Sequence, residues 1–385
     1  MTKAIAMSDR PTGAGTQGGA GLPGTGIPGA GLPDAGGEHD GHTFKGLHYP
    51  FGPQTPEPGT LMKVADGVFW LRMPLPMQSL QHINLYVLDG EDGWTIVDTG
   101  LRWEVSETLW EQLLAGPLAG KPVARVIATH FHPDHMGMAG WLCERTGAPL
   151  YMSRNEFLLA SMLIHARLPE PPEEVVSFYR RAGWGEAVLE AFRGRGWGNF
   201  ARAVHRLPVA YRRLQDEDAL RIGGKTWRVV MGHGHSPEHA CLVCAEAGVM
   251  IAGDQVLPRI TPNVSVTAME PEANPLEEWL ASIDKLRTLP PDLLVLPAHG
   301  EPFHGLYTRL DQMSADHAQK LERLLAHCAA PRTVVECFEV LFRKSVTAND
   351  IMTGTGEALA HLNYLKKLGR VEERLKDGVA VYAAA

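Results

Sequence analysis

Cysteine is scarce in this chain: there are five in 385 residues, at Cys143, Cys241, Cys244, Cys328 and Cys337. So few, so scattered, exclude a disulfide framework as the source of stability. Cys241 and Cys244 have the C-x-x-C spacing of redox and zinc-knuckle motifs, but they lie in an apolar, strand-like run, and core packing is the expectation for both. Long apolar runs are missing as well. No stretch reaches the ~18 residues of a membrane span, and residues 1–10 lack the apolar centre of a secretory signal. The expectation is a soluble, cytoplasmic protein with no membrane partner. Positive charge is in deficit, with 36 Lys and Arg against 44 Asp and Glu, a net charge of −8. That balance disfavours a protein built mainly to hold nucleic acid, although a local basic patch can coexist with an acidic total.

What is present suffices for a large core. Hydrophobic residues make up 44% of the chain, and 385 residues leave room for two domains. Residues 1–45 are rich in Gly, Pro and Ala and cannot bury enough apolar area to offset their ordering entropy, so a disordered tail is expected there, with structure beginning near Leu61. Strands are expected over 68–71, 83–88 and 94–97, a helix over 103–114, and a strand over 123–129. Repeated strand-then-helix order argues for a layered α/β fold. Residues 153–215 differ: helical periodicity, many arginines and a break at 169–172 predict an inserted helical subdomain. Such inserts commonly shape substrate access, and its arginines suit an anionic substrate as well as a solvated helical face. Strands resume over 219–222, 225–230, 240–245, 249–252 and 293–296, with helices over 276–289 and 311–328. From 331 to 385, helices over 333–342 and 356–368 precede a hairpin with an Asp377–Gly378 turn, the order of a winged-helix module. Its nearly balanced charge favours packing or a homodimer contact over DNA reading.

The densest chemistry lies in Thr129-His130-Phe131-His132-Pro133-Asp134-His135, between a buried strand and a helix. Three imidazoles and a carboxylate within six positions suit a borderline divalent metal such as zinc. Asp98, His235, Asp254 and His299 each sit at or just past the end of another apolar strand. In layered α/β folds strand ends converge on one edge, so distant residues meet there. Together these positions offer five histidines and three aspartates, enough for two metals.

In order and local wording, the motifs Val97-Asp98-Thr99-Gly100, Thr129 to His135, Gly234-His235-Ser236-Pro237, Gly253-Asp254 and Ala298-His299-Gly300 resemble the metallo-β-lactamase superfamily of dinuclear zinc hydrolases. The likeness spans about residues 61–310. It implies a four-layer αββα sandwich over 61–328 carrying the 153–215 helical insertion. The 331–385 unit resembles the winged-helix appendage of a β-lactamase-like subgroup. The same resemblance implies that His130, His132 and His235 bind one metal, that Asp134, His135 and His299 bind a second, and that Asp254 bridges them. Asp98 would stand behind the ligands and orient one of them. His233 competes with His235, and the Gly-His-Ser-Pro wording favours His235. His82, His239 and His304 are candidates to line the pocket or to make structural hydrogen bonds.

A family site of this kind holds a metal-bridging hydroxide that attacks a carbonyl carbon or phosphorus, and Asp134 is a candidate to orient it. The resemblance also implies that a bridging Asp254 is shared with glyoxalase II-like thioesterases and with nucleases, and is missing from true β-lactamases. No strong general acid stands near the motifs, which suits a thiolate or phenol-like leaving group. The leading expectation is hydrolysis of a thioester, activated ester or lactone of a small, anionic molecule. The second is a single-strand-specific endoribonuclease or phosphodiesterase. An acyl hydrolase should show a narrow, mostly apolar pocket; a nuclease should show a continuous basic track to the metals.

Overall fold

The computed structural model describes residues 41–77, 80–348 and 350–385. The expected disordered tail lies, up to residue 40, outside the described residues. Structure begins well before Leu61, however, and that boundary is corrected. Strands β1 (His42–Phe44) and β2 (Leu47–Tyr49) form a hairpin in which Phe44 pairs with Leu47. Lys45 and Gly46, at φ 50° and 75°, supply the left-handed pair that a two-residue turn requires. Leu47 and Tyr49 are buried in the main C-terminal core, which is what orders the hairpin.

A seven-stranded sheet follows in simple chain order: β3 (Leu61–Ala65), β4 (Val68–Pro74), β5 (His82–Asp89), β6 (Trp94–Val97), β7 (Val123–Ile127), β8 (Leu150–Ser153) and β9 (Arg212–Leu214). It is antiparallel up to β6 and parallel from β6 to β9. Between these strands run α1 (Glu104–Ala115), α2 (Pro133–Met136), α3 (Ala139–Thr146), α4 (Arg154–His165), α5 (Glu173–Arg181), α6 (Glu186–Arg193) and α7 (Phe200–Ala203). The second sheet holds β10 (Ala219–Ile222), β11 (Lys225–Gly232), β12 (His239–Cys244), β13 (Val249–Gly253) and β14 (Leu294–Pro297), again in chain order. Helix α8 (Pro275–Leu286) crosses between β13 and β14, whose pairing is parallel, and α9 (Leu306–His327) follows.

The central strands β6, β12, β13 and β14 are buried on both faces, and side-chain alternation along the strands builds the layers. On β4, Val68 and Trp70 join Tyr86, Val97, Trp227, Leu242 and Ile251 in a core between the two sheets. Phe69 and Leu71, pointing the other way, pack with Trp110, Leu113 and Leu142 of the first helical layer. Val230, Cys241 and Met250 face Trp279 of α8 and Leu310 and Met313 of α9. The result is the αββα order of four layers. Each large apolar side chain so buried contributes about 1.5–3 kcal/mol. Cys241 and Cys244, three residues apart on β12, belong to cores on opposite faces, so the C-x-x-C spacing is packing, as expected.

The expected insert is present as α4 to α7, and β9 returns the chain to the first sheet. Val176, Tyr179, Trp184, Leu189 and Phe192 form a small core of its own, against which Ile351 and Met352 pack. Its arginines are engaged at the surface: Arg180 pairs with Glu173 at 3.2 Å, Arg193 with Glu190 at 2.9 Å, and Arg181 with Glu373.

The C-terminal unit contains β15 (Arg332–Thr333), α10 (Phe338–Leu341), α11 (Ile351–Lys367), β16 (Val371–Lys376) and β17 (Val379–Ala384), its sheet ordered β15-β17-β16. The helix expected over 333–342 is only the single turn α10. Glu336 accepts hydrogen bonds from the backbone N–H and the hydroxyl of Thr333, which favours a turn, while β15 pairs with β17. Helix α11 begins earlier than expected and runs through Gly354 and Gly356. A Cβ on Gly356 would lie 2.7 Å from the carbonyl oxygen of Val266, so the glycine permits a backbone contact at that point. Among the described residues, no helix is long and apolar enough to cross a membrane.

Candidate metal centre

Asp98 closes β6 in a left-handed conformation, φ 59°. Its carboxylate accepts hydrogen bonds from the N–H and the hydroxyl of Thr129, both at 2.8 Å. The same group lies 2.7 Å from Nδ1 of His135. This pairing directs Nδ1 to Asp98 and turns Nε2 to the site; burial lowers the His135 pKa, but the carboxylates of Asp98, Asp254 and Asp134 outweigh it and raise it well above the usual value, a positive charge that a bound cation would replace. Nδ1 of His235 is fixed in the same way by the carbonyl of Asn263, at 2.8 Å, and Nδ1 of His299 by the carbonyl of His82, at 3.0 Å. Nδ1 of His130 lies 3.1 Å from the Thr129 hydroxyl.

The inward-facing atoms gather into two groups. Nε2 of His130 lies 2.8 Å from Nδ1 of His132 and 3.3 Å from Nε2 of His235, and Asp254 Oδ2 is 3.3 Å from that His235 nitrogen. Nε2 of His299 lies 3.4 Å from Asp134 Oδ2, and Nε2 of His135 lies 3.9 Å from the same oxygen. Within each group, His130, His132, His235 and Asp254 in one and Asp134, His135 and His299 in the other, the donor atoms lie within 4.8 Å of one another. Asp254 reaches both: its Oδ2 is also 3.5 Å from Nε2 of His135, and its Oδ1 is 3.6 Å from Nε2 of His299.

These residues fit a pair of divalent ions. His135 Nε2, Asp254 Oδ1 and His299 Nε2 are buried without a hydrogen-bond partner, whereas buried polar atoms ordinarily have one. Burial, then neighbouring imidazoles, push the pKa of His130 and His132 well below the usual value, which keeps the neutral, ligating form. Burial acts to raise the pKa of Asp254, but the facing His135 and His299 outweigh it and hold the carboxyl well below its ordinary range. An all-nitrogen-and-oxygen donor set of this kind suits zinc, iron or manganese.

One carboxylate of the centre escaped sequence reading. Glu156, in the first turn of α4, is fully buried. It accepts hydrogen bonds from the Phe131 N–H at 2.9 Å, the Ser236 hydroxyl at 2.7 Å and the Glu238 N–H at 2.6 Å. It therefore joins the loop carrying His130 and His132 to the loop carrying His235. Burial raises its pKa, against the pull of those donors. An acid in a first helical turn is so ordinary that its sequence carries no signal of this role.

The three remaining candidate histidines part ways. His82 lines a cavity of about 270 Å³ beside His299, with Leu80, Gln81, Pro258, Arg259, Ile260 and Gly300. His239 does not line that cavity; it is buried at the start of β12, and its Nε2 accepts the N–H of Asp254 at 3.1 Å, steadying the bridging loop. His304 takes the second of its two expected roles, a structural hydrogen bond: its Nδ1 donates to the carbonyl of Asp292 at 3.1 Å and its backbone pairs with His48, so it belongs to the hairpin contact and not to the pocket. His233 hydrogen-bonds the carbonyl of Pro237 at 2.7 Å, leaving the ligand position to His235. The insert contributes no lining residue to this cavity, although Phe200 stacks on Phe131 at 6.1 Å.

Residues 80–299 match the family model described as the metallo-beta-lactamase superfamily. The chain belongs to the metallo-beta-lactamase superfamily. Residues 321–385 match a second model, the metallo-beta-lactamase-like C-terminal domain. A beta-lactamase domain protein from Burkholderia ambifaria is 42% identical, with a TM-score of 0.82, covering 88% of this chain and 98% of its own. "Probable metallo-hydrolase YqjP" of Bacillus subtilis is 24% identical over 316 residues, 78% of this chain and 92% of that protein. An atrochrysone carboxyl ACP thioesterase of Aspergillus fumigatus is 24% identical over 294 residues; the match takes in 75% of this chain but only 55% of that enzyme. Membership of this superfamily makes the protein a metallo-hydrolase.

Proposed function

We propose that this superfamily member hydrolyses a thioester, or an activated ester or lactone, of a small molecule. His130, His132 and His235 would hold one divalent ion, zinc by preference, and Asp134, His135 and His299 a second, with Asp254 between them. Bound there, such ions lower the pKa of water toward ~7 and polarise the oxygen under attack. The chain's own residues do the rest. Asp98 and the carbonyls of Asn263 and His82 hold three imidazoles in the ligating tautomer. Asp134, whose Oδ2 faces His299, is placed to orient the attacking water.

The observation that carries the ester-type reading is the lining of the 270 Å³ cavity: among the described residues it has no carboxyl, Tyr or Lys to protonate a leaving group, and burial, then Arg72, lowers the pKa of its His82 to about 4, which leaves that imidazole without a proton to give near neutral pH. A thiolate or phenol-like alkoxide leaves without that help. Leu80, Pro258 and Ile260 also give the cavity an apolar component suited to an acyl group. The likeness to the Aspergillus thioesterase supports the same choice. A second reading, a single-strand-specific endoribonuclease or phosphodiesterase, is favoured by one observation, a basic groove that adjoins the cavity. The test is a hydrolysis screen of the metal-loaded protein against coenzyme A and glutathione thioesters, lactones and bis(p-nitrophenyl) phosphate. Thioester or lactone turnover is expected. Turnover of the phosphodiester alone overturns the leading reading.

A further inference from the structure

The groove runs from the cavity at the metal ligands to the C-terminal unit and has a volume of about 670 Å³. Pro258, Arg259 and Ile260 line both spaces, which adjoin along this segment. Asn263 lines the groove too, and its carbonyl holds His235. The walls carry seven Lys and Arg (Lys45, Arg259, Arg309, Lys320, Arg323, Arg343, Lys344) against three acids, Asp316, Asp350 and Glu357. That is a local excess of positive charge in a protein of net charge −8.

Pairing decides which of these cations are available. Lys320 is held by Asp316 and Glu357, each at 3.0 Å, and Arg259 by Glu301 at 3.2 Å. The buried Arg309 is occupied by the carbonyls of Leu257 and Ile260. Arg323 donates to the carbonyl of Val340 at 2.9 Å, and Lys45, Arg343 and Lys344 have no carboxylate partner among the described residues. Arg343 and Lys344 are exposed, just before α11, and Lys45 stands across from them on the β1–β2 turn.

We propose that this groove binds the phosphate-bearing portion of a coenzyme A-type thiol, placing its acyl thioester past the Pro258–Ile260 segment at the metal centre. The inference rests on the thioester reading above. Three free cations match a few phosphate groups. The volume is that of a small-molecule site. A space of about 670 Å³ with three unpaired cations suits a small molecule carrying a few phosphates rather than a continuous polynucleotide backbone. In the reaction, water forms a bond to the acyl carbon, the C–S bond breaks, the sulfur leaves as thiolate with the phosphates still held, and the proton of water passes to solvent.

The test uses the metal-loaded full chain and the double variant Arg343→Ala/Lys344→Ala, whose sites are exposed and remote from the metal ligands. KM for an acyl-coenzyme A should rise at least tenfold, while kcat/KM for the same acyl group on N-acetylcysteamine, which lacks phosphates, stays unchanged. Equal losses on both substrates, or no loss on either, overturn the proposal. Calorimetric binding of free coenzyme A is the independent readout. Binding by the parent that weakens at least tenfold in the variant and at high salt supports the groove even if no thioester is turned over, and in that case only the functional reading fails. Absence of coenzyme A binding overturns the groove assignment whatever the activity. So does preferential binding and cleavage of single-stranded RNA, or turnover restricted to acyl groups on a carrier protein.

Discussion

The two halves of the sandwich bring ligands to the same centre in different ways. The first half delivers His130, His132, Asp134 and His135 from one loop after β7, and braces that loop with side chains: Asp98 on His135, Thr129 on Asp98 and Glu156 on Phe131. The second half delivers His235, Asp254 and His299 from three separate strand ends. It braces the two histidines with backbone carbonyls, those of Asn263 and His82. Each ligand of this half adjoins a glycine at positive φ: Gly234 at 96°, Gly253 at 51° and Gly300 at 87°. Gly234 and Gly253 are also tightly enclosed, since a Cβ would lie 2.4 Å from the Pro275 carbonyl and 2.5 Å from the His239 ring respectively. Side-chain bracing concentrates a site in a short motif. Backbone bracing spreads it across the fold.

The largest effect should come from breaking the second half at its centre. Asp254→Ala should lose at least one metal equivalent by elemental analysis and reduce kcat by about 10²–10³-fold or more. Retention of both metals would refute the bridging assignment. In the first half the ligands should survive loss of their brace with weaker affinity. Asp98→Asn should lower metal affinity roughly 10–100-fold in a chelator competition; unchanged affinity would mean that Thr129 and the loop backbone alone orient His135.

Glu156 tests whether the halves are tied to each other. In Glu156→Gln one amide N–H₂ must face N–H or O–H donors of Phe131, Ser236 or Glu238, a mismatch costing about 1–3 kcal/mol in denaturant melts. An unshifted midpoint would show that the two ligand loops hold their positions independently.

The smallest effect lies where α9, packed on the second half, meets α11. His317 and His361 are buried there with Nδ1 of the first 3.1 Å from Nε2 of the second. His361 Nδ1 donates to the carbonyl of Glu357 at 2.7 Å, so its Nε2 accepts from His317. Burial, then His361, lowers the pKa of His317 to about 3, and burial lowers that of His361. Both are neutral when folded and titrate near 6.5 when unfolded. Stability from this pair is therefore complete above pH 6.5 and falls as pH drops from there, for His317 toward pH 3 and by up to about 2 kcal/mol at pH 5. His317→Leu should flatten the difference between melts at pH 7.5 and pH 5 relative to the parent. Parallel profiles for parent and variant would assign acid sensitivity to the metal ligands alone.

Legibility in the sequence followed the same division. The loop from His130 to His135 was readable because its ligands are adjacent in the chain. The scattered ligands were readable because each carries a short wording of its own, such as Gly234-His235-Ser236-Pro237. Most strands of the sandwich were readable from apolar runs. The β1–β2 hairpin was not, because three-residue strands in a Gly-rich region carry no periodicity and are ordered by burial of Leu47 and Tyr49 against distant residues. The four-residue β8 is similarly too short to show alternation. His304 read as a pocket residue from its closeness in sequence to His299, but the chain turns at Phe303, which pairs with Val295. Arginine-rich composition pointed to the insert as the anion contact, yet several of its arginines meet glutamates.

The amino-acid sequence by itself pointed to the layered α/β class and to a set of candidate ligands, because each shows in local patterns, apolar runs and donor groups at strand ends, while the hydrolase chemistry came from the family wording around those donors. The tertiary structure decided what joins those pieces. It revealed Glu156 as the tie between the loops that carry the candidate ligands, placed His82 but not His304 beside the metal centre, and put free cations from the β1–β2 turn and the approach to α11 around one groove. These are properties of distance in space between residues far apart in the chain, and no local pattern encodes them.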